Sequence, residues 1–318
     1  MSVRIIGTGT GLPATAVSNE DLTAFLDTSD DWITSRTGIR NRFICTAESL
    51  TDLAVHAASE ALSAADLPAS AVDVILCTTI GGDYRTPSLA CCVAERLGIS
   101  CPAFDINAAC AGFLYALDLA ALYTIRDPNI KVLIICADRL SAHVDWQDRS
   151  TCVLFGDGAG AALVTHGNTL RHMHLTTQPQ AEVLYAKNDI GNSPFATPTT
   201  SSNFLHMNGQ EVFRFAVNAV EQELSAALTA TQMTIDDINW FLLHQANHRI
   251  LESARTRLKL PAERFPTNIE HTGNISSASL PVLLDDLLRA GRVKQGDALF
   301  LTAFGAGLTC GGAMFVWE

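Results

Sequence analysis

The chain contains no Cys-x-x-Cys pair, which sets aside a structural zinc site of the usual spacing. Basic residues are scarce: 21 Lys and Arg stand against 33 Asp and Glu, a formal net charge of −12. Nucleic-acid binding by phosphate neutralisation needs clustered Lys and Arg, so that class is not expected. Charged residues of both signs make up only 17% of the 318 residues, whereas 48% are hydrophobic. Such a chain is too apolar for disorder and long enough for a large core. By inspection no apolar run approaches a membrane span, so no membrane association is expected. Met1 to Gly7 reads as a strand and lacks the parts of a signal peptide, so a cytoplasmic location is expected. The glycine-rich Phe155-Gly-Asp-Gly-Ala-Gly160 lacks the Gly-Lys-Ser/Thr ending of a phosphate loop, and a strand follows it. Nothing in the sequence calls for a nucleotide, flavin, metal or other cofactor.

What is present is an odd number of cysteines, at 45, 77, 91, 92, 101, 110, 136, 152 and 310. Most lie in apolar runs such as Val74-Ile-Leu-Cys77. Eight are read as small buried hydrophobes of a reducing compartment. Cys110 differs. Phe104 to Ile106 reads as a short buried strand, and Ala111 to Ile125 as a helix that is apolar on nearly every side. A cysteine at that junction faces unpaired N–H groups and the positive end of the helix dipole, which favour thiolate. Far downstream, His244-Gln-Ala-Asn247 and His271-Thr-Gly-Asn274 offer polar groups for such a nucleophile.

Val72 to Cys77 and Val132 to Cys136 read as strands buried on both faces, with helices such as Thr51 to Ala65 between strands. This alternation predicts an α/β layered fold. The second half repeats the order of the first. Asp237 to Leu243 matches Asp73 to Thr79, and Phe265 to Asn274 with the helix Leu280 to Leu288 echoes Phe104 to Cys110 and its helix. Asp297 to Ala303 echoes Lys131 to Ala137, and the glycine-rich ends also correspond. A duplication is expected, with halves 1–165 and 166–318, bringing Cys110 and Asn274 to related places. Thr176 to Ser202 breaks the pattern and reads as a polar surface insertion.

Six segments together resemble β-ketoacyl-(acyl-carrier-protein) synthase III of the thiolase superfamily. They are Thr28-Ser-Asp-Asp-Trp-Ile33, Arg36-Thr-Gly-Ile39, the Cys110 segment, Phe155 to Gly160, His244 to Asn247, and His271-Thr-Gly-Asn-Ile-Ser-Ser-Ala-Ser279. The resemblance spans essentially the whole chain. It implies a five-layered αβαβα sandwich of two duplicated halves, usually assembled as a homodimer. It also implies decarboxylating condensation of an acyl-CoA starter with malonyl-acyl-carrier protein, the first condensation of type II fatty-acid synthesis.

By this resemblance Cys110 attacks the acyl-CoA thioester and carries the acyl group. His244 and Asn274 donate hydrogen bonds to the malonyl thioester oxygen, where charge builds as carbon dioxide leaves. Taken alone, His244 is a structural strand-end residue, Asn274 a turn residue, and a Cys-His-Asn set also occurs in papain-like proteases. The backbone N–H groups of Cys110 and Ala306 are assigned to a second oxyanion hole. Coenzyme A is assigned to Thr28, Trp32, Arg36, Thr37 and Arg149, with Gly209, Phe213, Ala246 and Asn247 along the pantetheine arm. The alternative for Trp32 and Arg36 is a plain surface aromatic and a surface charge.

Thr86, where several members place a bulky aromatic, is assigned with Leu140 and Met207 to the acyl pocket, Thr86 reaching it from the partner subunit. Cys310 stands where many members have Trp. The segment after His244 carries His248, Arg249, Arg255, Arg257 and Lys259 against only Glu252. With Arg214 it reads either as a docking face for the acidic carrier protein or as a solvated helix face. Two other functions stay open: a secondary-metabolism acyltransferase or condensing enzyme of the same superfamily, and an inactive scaffold.

Overall fold

The computed structural model describes residues 3–188, 194–195 and 203–318. Its first sheet contains β1 (Arg4–Gly11), β4 (Val74–Thr78), β5 (Ala103–Ile106), β6 (Val132–Arg139) and β7 (Asp157–Thr165), in the order β1-β7-β6-β4-β5. Its second contains β8 (Leu170–Thr177), β11 (Trp240–Leu243), β12 (Ala298–Gly305) and β13 (Thr309–Val316), in the order β11-β12-β13-β8. Two short ladders join β2 (Ala16–Ser18) to β3 (Asn41–Phe43) and β9 (Leu184–Tyr185) to β10 (His206–Met207). The helices are α1 (Asn19–Leu22), α2 (Asp30–Thr37), α3 (Leu50–Ala64), α4 (Leu89–Leu97), α5 (Gly112–Arg126), α6 (Gly209–Thr231), α7 (His248–Arg257), α8 (Ile269–Thr272) and α9 (Ser279–Arg289).

The two large sheets pair their strands alike. β4 with β6 is parallel, as is β11 with β12. β6-β7-β1 is antiparallel throughout, as is β12-β13-β8. The first sheet adds β5 beyond β4. At the corresponding place in the second half, Phe265 to Asn274 forms no strand ladder. It contains the short α8, and its one strand-like pairing with the first half is an isolated bridge from Asn274 to Phe155. The expected echo of β5 is therefore corrected to a loop with one helical turn.

Three apolar clusters explain the layers. One face of the first sheet packs on α3 and α4, through Ile75, Leu133 and Leu163 against Leu53, Ala57 and Val93. The other face and the second sheet enclose α5 and α9, through Phe113, Leu117, Leu280 and Leu284. The far face of the second sheet packs on α6 and α7, through Phe241, Phe300 and Met314 against Val220 and Leu251. The result is the αβαβα order implied by the resemblance. Each fully buried side chain such as Phe113 contributes about 2 kcal/mol by leaving water.

α3 and α4 begin at side-chain caps, Ser49 with Asp52 and Ser88. The two central helices do not: α5 and α9 have no side-chain cap and are entered through 3₁₀ turns at Ala109–Ala111 and Ser276–Ala278.

Five expectations change. Ala109–Arg126 does reach the length and apolarity of a membrane span, and only half of it is buried. Its apolarity follows from the central layer, yet Leu122 and Ile125 are exposed, so it is not apolar-packed on every side. β5 is an edge strand with Phe104 exposed rather than a buried one. Among the cysteines other than Cys110, Cys91 is exposed and Cys101 half-buried, while the other six are buried; all nine are free thiols. The expected insertion begins inside β8, at Thr176 and Thr177, and includes β9; part of it lies outside the described residues.

Candidate active site

A cavity of about 2320 Å³ lies where the ends of the two sheets meet, and Cys110, His244 and Asn274 all line it. Cys110 sits in the 3₁₀ turn before α5, after Ala109 at φ 47°. A Cβ on Gly305, at the end of β12, would stand 2.7 Å from the Cys110 nitrogen. Glycine there lets the two backbones approach and brings neighbouring Ala306 to the same cavity.

The Cys110 sulfur accepts a hydrogen bond from the Ser276 hydroxyl at 3.5 Å. Burial pushes its thiol up to about 12; the Ser276 hydroxyl opposes this and the charge of Asp138 adds to it. The rise from 9.0 corresponds to roughly 4 kcal/mol, whereas a helix terminus supplies at most about 2 kcal/mol. Burial wins, so the expected resting thiolate is corrected to a thiol. The N-terminus of α5 favours negative charge on sulfur only as the proton leaves.

His244 follows β11 and is 1% exposed. Its Nδ1 lies 2.6 Å from Ser279 Oγ, which also accepts the Gln245 N–H at 3.3 Å. A hydroxyl that accepts from Gln245 and donates to Nδ1 leaves the ring proton on Nε2. Burial pushes the His244 imidazole down to about 3, so it is a neutral donor at physiological pH. The edge-to-face Phe304 ring, 5.3 Å away, restrains it.

Asn274 is held on three sides. Its N–H donates to the Leu154 carbonyl at 2.9 Å and its own carbonyl accepts from Gly156 at 3.0 Å. Its side-chain oxygen accepts the Ser276 N–H at 2.9 Å. That bond leaves the side-chain NH₂ as the group presented to the cavity. The glycine-rich Phe155 to Gly160 therefore clamps backbone beneath the site: a Cβ at Gly156 would lie 2.5 Å from the Thr272 carbonyl. Fully buried Arg42 braces the same place, donating to Val153 O and Asn19 Oδ1.

Trp32, Arg36, Thr37, Gly209, Phe213, Ala246 and Asn247 line the cavity, as do Leu140 and Met207. Arg36 and Arg149 both stack on Trp32, at 4.4 and 4.9 Å from the ring centre, and Arg149 also bonds to Asp27. Thr37 spends its hydroxyl on the Ile33 carbonyl and the Ile39 N–H. Thr28 and Arg149 lie off the lining, and the buried Thr28 hydroxyl has no hydrogen-bond partner among the described residues. Thr86 is exposed and outside this chain's own cavity.

Arg214, Arg249 and Arg257 edge the cavity. Arg214 pairs with Glu211 at 3.1 Å and Arg257 with Glu221 at 3.6 Å. Arg255 lies off the cavity, tied to Glu252 and the Leu260 carbonyl. Sequence reasoning gave no role to Arg42, Asp138, Phe304, Ser276 or Ser279. The serines stand inside the His271 to Ser279 segment, directly after Asn274. That adjacency was the available signal.

Comparison with known proteins agrees with this geometry. The family model described as 3-oxoacyl-[acyl-carrier-protein (ACP)] synthase III matches residues 104–180, and its C-terminal counterpart matches 228–317. A beta-ketoacyl-[acyl-carrier-protein] synthase III of Clostridium perfringens is 41% identical, covering 98% of each chain. One from Xanthomonas campestris is 42% identical over 98% of this chain and 97% of its own. The crystal structure of the Aquifex aeolicus 3-oxoacyl-[acyl-carrier-protein] synthase III superposes with a TM-score of 0.91 at 39% identity, covering 99% of this chain and 100% of that one. With sequence, layer order and cavity in agreement over the full length, the chain belongs to the 3-oxoacyl-[acyl-carrier-protein] synthase III family and has the thiolase-like α/β fold.

Proposed function

We propose that the chain joins an acyl-CoA starter to malonyl-acyl-carrier protein through an acyl-Cys110 intermediate. Membership of the family makes it a condensing acyltransferase that initiates fatty-acid synthesis. The observation that carries the residue roles is the convergence of Cys110, a neutral His244 and a pinned Asn274 on one cavity. Cys110 attacks the thioester carbonyl, and the N–H groups of Cys110 and Ala306 receive the oxyanion. Coenzyme A leaves. Malonyl-carrier protein then enters, and His244 Nε2–H with the Asn274 amide stabilises the enolate oxygen as carbon dioxide departs. The enolate carbon attacks acyl-Cys110, giving the 3-oxoacyl product.

The remaining roles fit this reading. Arg36 stacked on Trp32 presents a cation and an aromatic face at the cavity mouth for the nucleotide end of coenzyme A. Arg214, Arg249 and Arg257 offer positive charge to the carrier protein. We assign the chain to the cytoplasm and divide it at 1–165 and 166–318, a division supported by the matching pairings of the two sheets. A homodimer through the β5 edge is supported by exposed Phe104 and by Thr86 standing outside its own cavity.

A polyketide alternative draws on the 32% identical priming ketosynthase structure, TM-score 0.91. The test is radiolabelled acyl-CoA followed by malonyl-carrier protein. Label on Cys110, carbon dioxide release and a 3-oxoacyl-carrier-protein product are expected. Label without carbon dioxide would point to plain acyl transfer, and no label to a scaffold.

A further inference from the structure

Arg42, at the centre of β3, is fully buried, and no other Lys or Arg among the described residues is. Its hydrogen bonds go to neutral oxygens on three segments: Val17 O at 3.3 Å, Asn19 Oδ1 at 2.7 Å and Val153 O at 3.0 Å. Its Nε is buried with no hydrogen-bond partner among the described residues. Burial lowers the guanidinium from 12.5 to about 10, so it stays charged at neutral pH. An apolar side chain of like size would fill such a place without the cost of desolvating a charge. A cation held here on neutral partners points to a task beyond filling space.

The task is legible in what the side chain touches. Its Cβ lies against both glycines that flank the Asn274 clamp. A Cβ added at Gly156 would stand 3.2 Å from it, and one added at Gly273 3.1 Å. The guanidinium then reaches Val153, the residue before Leu154. Leu154 O accepts the Asn274 N–H at 2.9 Å, and the Gly156 N–H donates to Asn274 O at 3.0 Å. On the other side β3 is tied to α8, which leads into Gly273, by the Arg40 N–H on Glu270 O at 2.9 Å. One side chain thus touches both walls of the clamp.

We propose that Arg42 is a positioning residue for decarboxylation: it holds the 153–156 segment so that the Asn274 amide stays aimed at the enolate oxygen. This rests on the reading that Asn274 is an oxyanion donor. Arg42 does not line the cavity, so it acts through Asn274 and not on substrate. A guanidinium suits the task. Its planar fork fixes several acceptors at once, and its charge strengthens each bond. Cys110 depends on other neighbours, Gly305 of β12 and the Ser276 hydroxyl. The two half-reactions should therefore respond differently when Arg42 is replaced.

The test uses two variants. Arg42→Met keeps the stem between the glycines and removes the bonds. Arg42→Lys keeps the stem and a charge but has no fork. Folding of each is checked by its denaturant transition. Acylation is read by label trapped from acyl-CoA, and decarboxylation by carbon dioxide released from malonyl-carrier protein. In Arg42→Met the kcat of decarboxylation should fall about 10²-fold, the cost of a reacting group misplaced by about 1 Å. The Michaelis constant for malonyl-carrier protein and the acylation rate should stay within roughly twofold of wild type. Arg42→Lys should lose about 10-fold, and it carries the same comparisons if the Met variant does not fold. In an Asn274→Ala background either substitution should cost no more than about twofold further, because the group it positions is gone.

A folded Arg42→Met that decarboxylates as the wild type does would overturn the proposal. So would equal loss of both half-reactions, the mark of a merely structural role. Losses that multiply in full with that of Asn274→Ala would sink the Arg42 link alone. Normal decarboxylation by Asn274→Ala itself would instead remove the oxyanion role, and the proposal with it.

Discussion

Two short segments enter the central helices by the same backbone route and carry different chemistry. Asn107 accepts the N–H of Ala109, which is left-handed, and Cys110 follows. Asn274 accepts the N–H of Ser276, which is left-handed, and Ser277 follows. Each leads through a 3₁₀ turn into a helix without a side-chain cap. The difference lies in what precedes the turn. Asn107 follows the edge strand β5 and is exposed, whereas Asn274 is 6% exposed and clamped by Leu154 and Gly156. One turn thus spends its asparagine as a local cap and presents Cys110, the proposed nucleophile. The other presents the asparagine. On the proposed roles, a shared turn is divided between the two half-reactions, one carried by each half.

The strongest way to break that division is to delete each partner. Cys110→Ala should reduce acyl-enzyme formation to background while leaving malonyl decarboxylation measurable. His244→Ala and Asn274→Ala should still acylate Cys110 but lose decarboxylation by about 10²-fold or more, the cost of a missing oxyanion donor. Acyl transfer is read by trapped label and decarboxylation by released carbon dioxide. Equal loss of both activities in all three variants would mean that the turns are not functionally separate.

Acid and base sharpen the contrast further, because the two sides carry pH effects of opposite sign. His244 is held near 3, below its ordinary 6.5, so the unfolded chain binds that proton first. Its contribution to stability is complete above pH 6.5 and is lost as pH falls toward 3. Asp138 is raised from 3.8 to about 6, so the folded chain binds its proton first. That contribution is complete below 3.8 and is lost as pH rises through 6. Between pH 3 and 6.5 the stability of wild type over His244→Gln should therefore grow, by on the order of 5 kcal/mol at most. Between 3.8 and 6 that of wild type over Asp138→Asn should shrink, by on the order of 3 kcal/mol at most. Denaturant titrations across this range decide it. Parallel curves would show that neither group is held as described.

Much of this was legible in sequence where local physics decides. Val132 to Cys136 could only be a strand buried on both faces, and β6 carries it. The strand-to-helix junction at Cys110 was visible for the same reason. What was not legible depended on the other half of the chain. The sulfur's surroundings were misjudged because burial by distant segments outweighs the dipole of its own helix. Ser277 and Asp138 are 139 residues apart and bond only when the sheets stack. Phe265 to Asn274 holds the place of β5 in the order of elements, but the backbone of Asn274 is taken up by the 154–156 clamp instead of a ladder.

A smaller effect separates the basic residues at the cavity mouth. Arg255 is occupied by Glu252, at 2.5 Å, and by the Leu260 carbonyl, while Arg249 lines the cavity. Arg249→Glu should raise the Michaelis constant for malonyl-carrier protein several-fold and spare acylation by acyl-CoA. Arg255→Glu should do so less. The wild-type rate should fall with added salt, since exposed charges are screened within about 8–10 Å at such ionic strengths. Equal behaviour of the two variants would remove this face from the docking surface.

The finest distinction is between residues of this chain's cavity and residues that a second copy would bring. Leu140 and Met207 line the cavity from within, but Thr86 is exposed and lies outside it. If a partner subunit delivers Thr86 to the acyl pocket, a side chain smaller than an aromatic leaves room for longer starters. Each further buried methylene gains about 0.8 kcal/mol, close to fourfold in relative rate, until the pocket ends. Acyl-CoA of four carbons or more, straight or branched, should therefore be accepted beside acetyl-CoA. Thr86→Phe should move the preference back toward acetyl-CoA by about that factor for each methylene excluded. Enlarging the pocket from within, by Leu140→Ala, should act in the opposite direction in the same competition assay. The two substitutions differ in one respect. The effect of Thr86→Phe requires assembly, so dilution below the dimer's dissociation constant should erase it, whereas the direct lining by Leu140 should persist wherever activity does. Strict acetyl-CoA use by the wild type, unmoved by Thr86→Phe, would place the limit on chain length within the single chain.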